Sequence, residues 1–242
     1  MTGPELPASL DPAAVERLRL SGPAGTPLTR WFPAVAAFVN LRELMLGPIV
    51  TRSLVAGVTP GAIPPSVTTL GVFTGGTPVA WPRDVTLPNI TGVRADGQLM
   101  LRRDAFPNVR AVALKPAHNG QNLDEVLAIP SLRELHLMTV PPAVFSRIGH
   151  LPLTGLGLLG GSLTSLTGIE SLTGLTSLRL HNLRSLRSIA ALSTLPIETL
   201  QIRYCPAITD FTPLAELPRL RSLQLVASGT PDLSALPPHV TA

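Results

Sequence analysis

Cysteine, lysine and aromatic residues are all scarce in this chain, and each scarcity excludes a class of protein. Cys205 stands alone, so no intramolecular disulfide can form. Lys115 is the only lysine; the other 18 basic residues are arginines, spread from Arg17 to Arg221 with no run longer than Arg102-Arg103. A nucleic-acid surface gathers its cations on one face and interleaves aromatics for stacking. Aromatics make up only 4% here, so the net charge of +4 reads as dispersed surface charge, and nucleic acid is not the expected partner. The arginine skew, with abundant Ala, Pro, Gly and Leu, resembles GC-rich bacterial coding bias.

Charge is also low, at 14% against 45% hydrophobic residues, which excludes a disordered chain. Continuous apolar runs are missing too. The least charged window, Leu151 to Ile169, reaches membrane-spanning length but is broken by five glycines and several hydroxyls. A membrane helix needs unbroken apolarity, so no span is expected. The first residues, MTGPELPASLDPAAV, carry Glu5, Asp11 and three prolines before any apolar run, unlike a signal peptide. The expectation is a soluble protein of the bacterial cytoplasm. With 26 prolines, a helical bundle is excluded, and an aliphatic core interrupted by many turns fits instead.

What the chain does have is an internal repeat. The segments LTGLTSLRL, LPIETLQI and LPRLRSLQL share a pattern of aliphatic, two others, aliphatic, one other, aliphatic. The first aliphatic residue of each turn falls at Val15, Leu41, Val67, Ile90, Val109, Leu132, Leu153, Leu175, Ile197 and Leu220. Successive steps are 26, 26, 23, 19, 23, 21, 22, 22 and 23 residues, all but one within the roughly 20 to 29 of leucine-rich repeats. In LRSLQL the alternating Leu223 and Leu225 face one side of a strand, with Leu220 reaching the same core from the preceding turn. One turn cannot bury that face; stacking the next about 4.8 Å away does.

The return path differs along the chain. Ile169, Leu172 and Leu175, and later Phe211, Leu214 and Leu217, recur every third position, which suits 3-10 turns. Earlier, TRWFPAVAAFVN and NLDEVLAIP predict short helices, with Asn122 as N-cap and Pro130 as the stop.

These residues resemble short bacterial leucine-rich repeats of the internalin-like type, strongly from Leu132 onward and more loosely before it. The later repeats also resemble the repeat arms of actinobacterial signalling NTPases related to NACHT and STAND proteins. The chain has no phosphate-binding GxxxxGK[ST] motif, so any NTPase part would lie elsewhere. The resemblance implies an α/β solenoid: a right-handed superhelix of about ten turns, with a parallel sheet on the concave face and 3-10 or short helices on the convex face. The expected layout is an N-terminal extension over 1–14, a solenoid over 15–236 and a tail over 237–242. One departure stands out. Family repeats place Asn or Cys three residues after the last strand leucine, and only Cys205 fits; Ile49, Ala117, Val140, Gly161, Leu183 and Ser228 hold the place elsewhere. Apolar packing must then stabilise the bends.

Chemistry-bearing groups are sparse. Cys205, at an inward bend, reads as a core filler rather than a nucleophile. The stretch GLGLLG at Gly155 to Gly160 mimics a dinucleotide fingerprint, but Leu156 and Leu158 are core positions and no helix is expected to follow. His118, His136, His150, His181 and His239 share no metal-ligand spacing. No catalytic set, cofactor or metal is expected.

The remaining candidate is the concave face: His136, Met138, Arg179, His181, Gln201, Arg203 and Gln224, with Arg179, Gln201 and Gln224 in one column and His181 with Arg203 in the next. Arginines beside amides and imidazoles make charge-assisted hydrogen bonds to an acidic or polar protein patch. The early turns offer a less polar row, Met45, Gly71, Phe73 and Ala113. The expected function is a non-catalytic protein-interaction module, an adaptor or sensor arm of a larger signalling or defence assembly. The alternative is a structural subunit that assembles through its solenoid ends.

Overall fold

The structure, a computed structural model, describes residues 9–21, 31–47, 55, 57–75, 79–96, 99–116, 121–140 and 143–229. Expectations that fall on Ile49, Ala117, His118, His239, the 237–242 tail and most of the N-terminal extension lie outside the described residues. The chain divides into two compact units, 1–131 and 132–242.

In the first unit five strands pair in parallel in chain order: β1 (Arg17–Leu20), β2 (Glu43–Leu46), β3 (Thr69–Val72), β5 (Gly92–Ala95) and β7 (Ala111–Leu114). A second, two-stranded parallel sheet joins β4 (Val79–Ala80) to β6 (Leu99–Met100). In the second unit the same parallel order runs through β8 (Glu134–Val140), β9 (Gly155–Gly161), β10 (Ser177–His181), β11 (Thr199–Arg203) and β12 (Ser222–Val226). All ten main strands begin two residues after the ten repeat starts read from the sequence, across the short 19-residue step as well. These are leucine-rich-repeat turns.

Each strand turns one set of side chains into the core. Leu44 and Leu46, Leu178 and Leu180, and Leu200 and Ile202 are completely buried, and so are Leu175 and Leu220, which come in from the preceding turns. At about 25 cal/mol per Å² of apolar surface, each such side chain contributes about 1.5–3 kcal/mol before entropy is counted. The three-residue rhythm forms 3-10 turns at Ile169–Ser171, Ala190–Leu192 and Thr212–Leu214, as expected, and Ile169, Leu192 and Leu214 point inward from them.

The helices depart from expectation. Over TRWFPAVAAFVN only α1 (Phe32–Val35) forms, followed by a turn at Ala36 and Ala37. Helix α2 (Gln121–Leu127) ends before Pro130 as expected, but it begins one residue too early for Asn122 to cap it. Asn122 is instead buried in the first turn, its Nδ2 3.5 Å from the Lys115 carbonyl. A short helix α3 (Val144–Ile148) and the β4–β6 sheet were not legible in the repeat pattern. Among the described residues no helix is long and apolar enough to cross a membrane.

At the heads of β2, β3, β5, β7 and β9 to β12, two consecutive N–H groups donate to one carbonyl of the turn before. Thr176 and Ser177 both bond Thr154 O at 3.0 Å, and Glu198 and Thr199 bond Thr176 O at 2.8 and 3.0 Å. The same pair of bonds recurs from Arg42 and Glu43 to Glu16 O, and from Arg221 and Ser222 to Glu198 O. The hydroxyls of Thr154 and Thr176 donate to the equivalent carbonyls of Arg133 and Thr154 at 3.4 and 3.2 Å.

At the far end of each strand of the second unit one residue adopts a left-handed backbone: Thr139, Gly160, Asn182, Tyr204 and Ala227, with φ between 48 and 65°. This reverses the alternation, so that Val140, Leu183, Cys205 and Ser228 turn inward and are buried, at the bend position read from the sequence. Gly161, the fifth, cannot carry a side chain: its φ is 106°, and a Cβ would lie 2.5 Å from the Val140 carbonyl oxygen.

Two neighbouring glycines separate these effects. Gly160→Ala, at φ 65° with open space around it, should cost about 1 kcal/mol. Gly161→Ala should cost about 3 kcal/mol, because backbone conformation and collision add. Urea denaturation of both variants checks the ranking; equal losses would refute the close approach.

Candidate binding face of the second unit

Strand register sets the candidate residues side by side. Across β8 to β12 the outward positions form three columns: Glu134, Gly155, Ser177, Thr199 and Ser222; then His136, Gly157, Arg179, Gln201 and Gln224; then Met138, Leu159, His181, Arg203 and Val226. The expected columns, Arg179 with Gln201 and Gln224, and His181 with Arg203, are thus adjacent in space. His136 falls in the arginine column and Met138 in the histidine column.

The glycines of β9 shape this face. A Cβ on Gly157 would sit 2.1 Å from His136 Nδ1, and one on Gly155 would sit 3.1 Å from Glu134 Cγ. The side chains of Glu134 and His136 therefore lie across β9, and the imidazole reaches toward Arg179, two strands away. Space for these side chains accounts for two glycines of the GLGLLG stretch, whose Leu156 and Leu158 are buried core. No nucleotide cradle exists there, because β9 leads into further turns and not into a helix.

Over β10 to β12 the face is electrostatically one-sided. None of the nine outward positions of β10, β11 and β12 carries a carboxylate, while Arg179 and Arg203 supply two permanent cations. Arg179 is exposed. Arg203 is half-buried; its Nη2 donates to Gln224 Oε1 at 2.8 Å, and its buried Nε has no hydrogen-bond partner. Gln224 is thereby oriented with its amide nitrogen free to donate, which adds another donor to an acceptor-poor surface.

Sequence reasoning missed Tyr204. It is the only tyrosine in the chain and 50% exposed, and its ring stacks on His181 with centroids 5.4 Å apart and planes inclined by 33°. It occupies the left-handed position and so falls outside the alternation from which the face was read. The available signal was residue type: an aromatic stands where Gly160 and Asn182 stand in the two preceding turns.

Next to it Cys205 is completely buried, and burial pushes its thiol up from the usual range. Its N–H donates to Ser228 Oγ at 3.2 Å, and the Ser228 hydroxyl in turn donates to the Val226 carbonyl at 2.9 Å. This is a one-rung version of the missing asparagine ladder.

Two other surfaces differ from this face. In the first unit Met45 Sδ lies over Gly71, where a Cβ would be 2.0 Å away, with the Phe73 ring alongside, so this apolar row is largely packed on itself. The neighbouring Arg94–Glu43 pair, at 3.4 Å and solvent-exposed, contributes little to stability. In the second unit a shallow cleft of about 340 Å³ is lined by Ser165, Thr167, Glu170, Ser188, Ser193 and Thr194 over Leu166, Ala190 and Ala191. It lacks a permanent cation and an aromatic ring, and Glu170 is already engaged by the Gly168 N–H at 2.6 Å.

Among solved structures the chain is similar to an internalin (InlF) from Listeria monocytogenes, at 16% identity and a TM-score of 0.47 over 83% of this chain and 57% of that chain. It is also similar to an internalin C2 from the same organism, at 20% identity and a TM-score of 0.45 over 78% of this chain and 80% of that one. A leucine-rich-repeat protein from Leptospira interrogans aligns at 17% identity and a TM-score of 0.35, over 88% of this chain and 67% of that one. The chain thus spans little more than half the length of the first of these. No protein-family model matches it, and no curated protein does. The chain is a leucine-rich-repeat protein by its own turns: ten repeat starts 19 to 26 residues apart, a parallel strand after each, and aliphatic residues stacked from turn to turn.

The bend chemistry can be checked directly. Ser228→Ala leaves the Cys205 N–H buried without its acceptor and should cost about 1–3 kcal/mol in thermal or urea unfolding. The Cys205 thiol should react with a disulfide reagent only as fast as the fold opens, because the thiolate is suppressed and the sulfur buried. Rapid labelling of the native protein at neutral pH would contradict this placement.

Proposed function

We propose that the chain is a non-catalytic protein-recognition module whose partner docks on the open sheet face of the second unit. The observation that carries this reading is the register that aligns Arg179, Gln201 and Gln224 beside His181 and Arg203, on three strands with no outward carboxylate. Leucine-rich-repeat sheets present rigid, regularly spaced side chains, so a partner meets donors whose backbone is already ordered. An acidic patch on that partner supplies the missing carboxylates, and each charge-assisted hydrogen bond formed is stronger than a neutral one.

His136 and Met138 extend the same surface toward β8. Among the described residues the core is aliphatic, with one buried thiol and Thr74, Asn122 and Ser228 as scattered polar side chains, which favours binding over catalysis. The module acts as an adaptor or sensor arm within a larger assembly, in the bacterial cytoplasm, and needs no cofactor.

The test is capture from lysate of the native host, with the wild-type chain and the Arg179→Ala/Gln201→Ala/Arg203→Ala variant as baits. A partner retained by wild type and lost by a variant of unchanged melting temperature is the expected result. Identical capture by both baits would move the interface off this face. A variant that fails to fold would overturn the assignment of the three residues to the surface.

A further inference from the structure

Tyr204 is an unusual occupant of its position. The residues at the same place in the other turns of the second unit, Thr139, Gly160, Asn182 and Ala227, are all left-handed, and glycine or asparagine takes that conformation at lower cost than a bulky side chain. Half of the residue stays exposed, and its aromatic contact is His181, itself an open-face residue. Two stacked rings therefore stand together at the ends of β10 and β11. Arg203 is the residue before Tyr204, and Arg179 lies two residues before His181 on the same outward face, about 7 Å along the strand.

We propose that His181 and Tyr204 form an aromatic platform that, with Arg179 and Arg203, receives an acidic segment of the partner carrying an aromatic residue beside its carboxylates. This rests on the reading that the open face of the second unit is the binding surface, and it names what that surface takes. The cations account for the carboxylates. The platform accounts for the apolar neighbour, because tyrosine offers a large rigid contact area at small entropic cost. Arginine with stacked rings also suits single-stranded nucleic acid, but that ligand needs a basic track along its backbone. The other outward side chains of β10 to β12 are neutral hydroxyls, amides and an aliphatic residue.

Fluorescence anisotropy with three labelled probes tests this: a peptide alternating glutamate and phenylalanine, an all-glutamate peptide, and a single-stranded oligothymidylate. Tyr204→Asn is the variant of choice, since Asn182 already holds that position in the preceding turn. The mixed peptide should bind the wild type most tightly. Tyr204→Asn should weaken it about three- to tenfold, with the melting temperature unchanged or raised. Arg179→Ala/Arg203→Ala should weaken both peptides.

A lower melting temperature for Tyr204→Asn would show the ring to be structural and overturn the proposal, as would equal affinity for the two peptides or a preference for the oligothymidylate. If neither peptide binds while lysate capture still depends on Arg179, Gln201 and Arg203, the platform falls and the interaction module stands. Peptide binding that survives loss of that dependence would do the reverse.

Discussion

The second unit rests on one repeated interaction: a single carbonyl at the head of each strand that accepts two N–H groups from the next turn. Thr154 O and Thr176 O each hold the following strand in this way. A doubly engaged acceptor fixes both the distance and the tilt of the incoming backbone, so that each strand starts in register with the last. Everything on the open face inherits that register. Arg179 sits beside Gln201 because Thr199 N–H and Ser177 N–H are anchored at equivalent points, not because the side chains attract each other.

The strand ends are less uniform, and that is where individuality enters. The left-handed residue that closes each strand of the second unit must exist for the chain to bend inward, yet its side chain is left free to vary. Thr139, Gly160, Asn182, Tyr204 and Ala227 share a backbone and little else. Inward from them the bend is filled by whatever is small or apolar enough: Val140, Leu183, Cys205 and Ser228. At the last bend the Ser228 hydroxyl supplies the hydrogen bond to a buried N–H that a ladder residue would otherwise provide. The variable side chain and the buried filler thus occupy adjacent positions of the same short segment.

Glycine plays a second role on β9. Its bare positions at Gly155 and Gly157 let Glu134 and His136 lie across the strand, which brings an imidazole into the arginine column. The outcome is that polar side chains cross β9 in the first two columns, where alternation alone would leave a gap.

The sequence by itself determined the architecture, because leucine spacing is a direct record of which residues face the core. Ten repeat starts placed ten strands, the three-residue rhythm placed the 3-10 turns, and strand alternation placed Arg179, Gln201 and Arg203 on the outer surface. Helix caps were less legible: Asn122 has the right chemistry for a cap, but tertiary burial draws it into the helix instead. Only the tertiary structure decided what lies next to what off the strands. The stacking of Tyr204 on His181, the hydroxyl of Ser228 on the Cys205 N–H and the reach of His136 over Gly157 all join residues about 20 positions apart. Such contacts depend on backbone handedness at single residues, which no periodic pattern encodes.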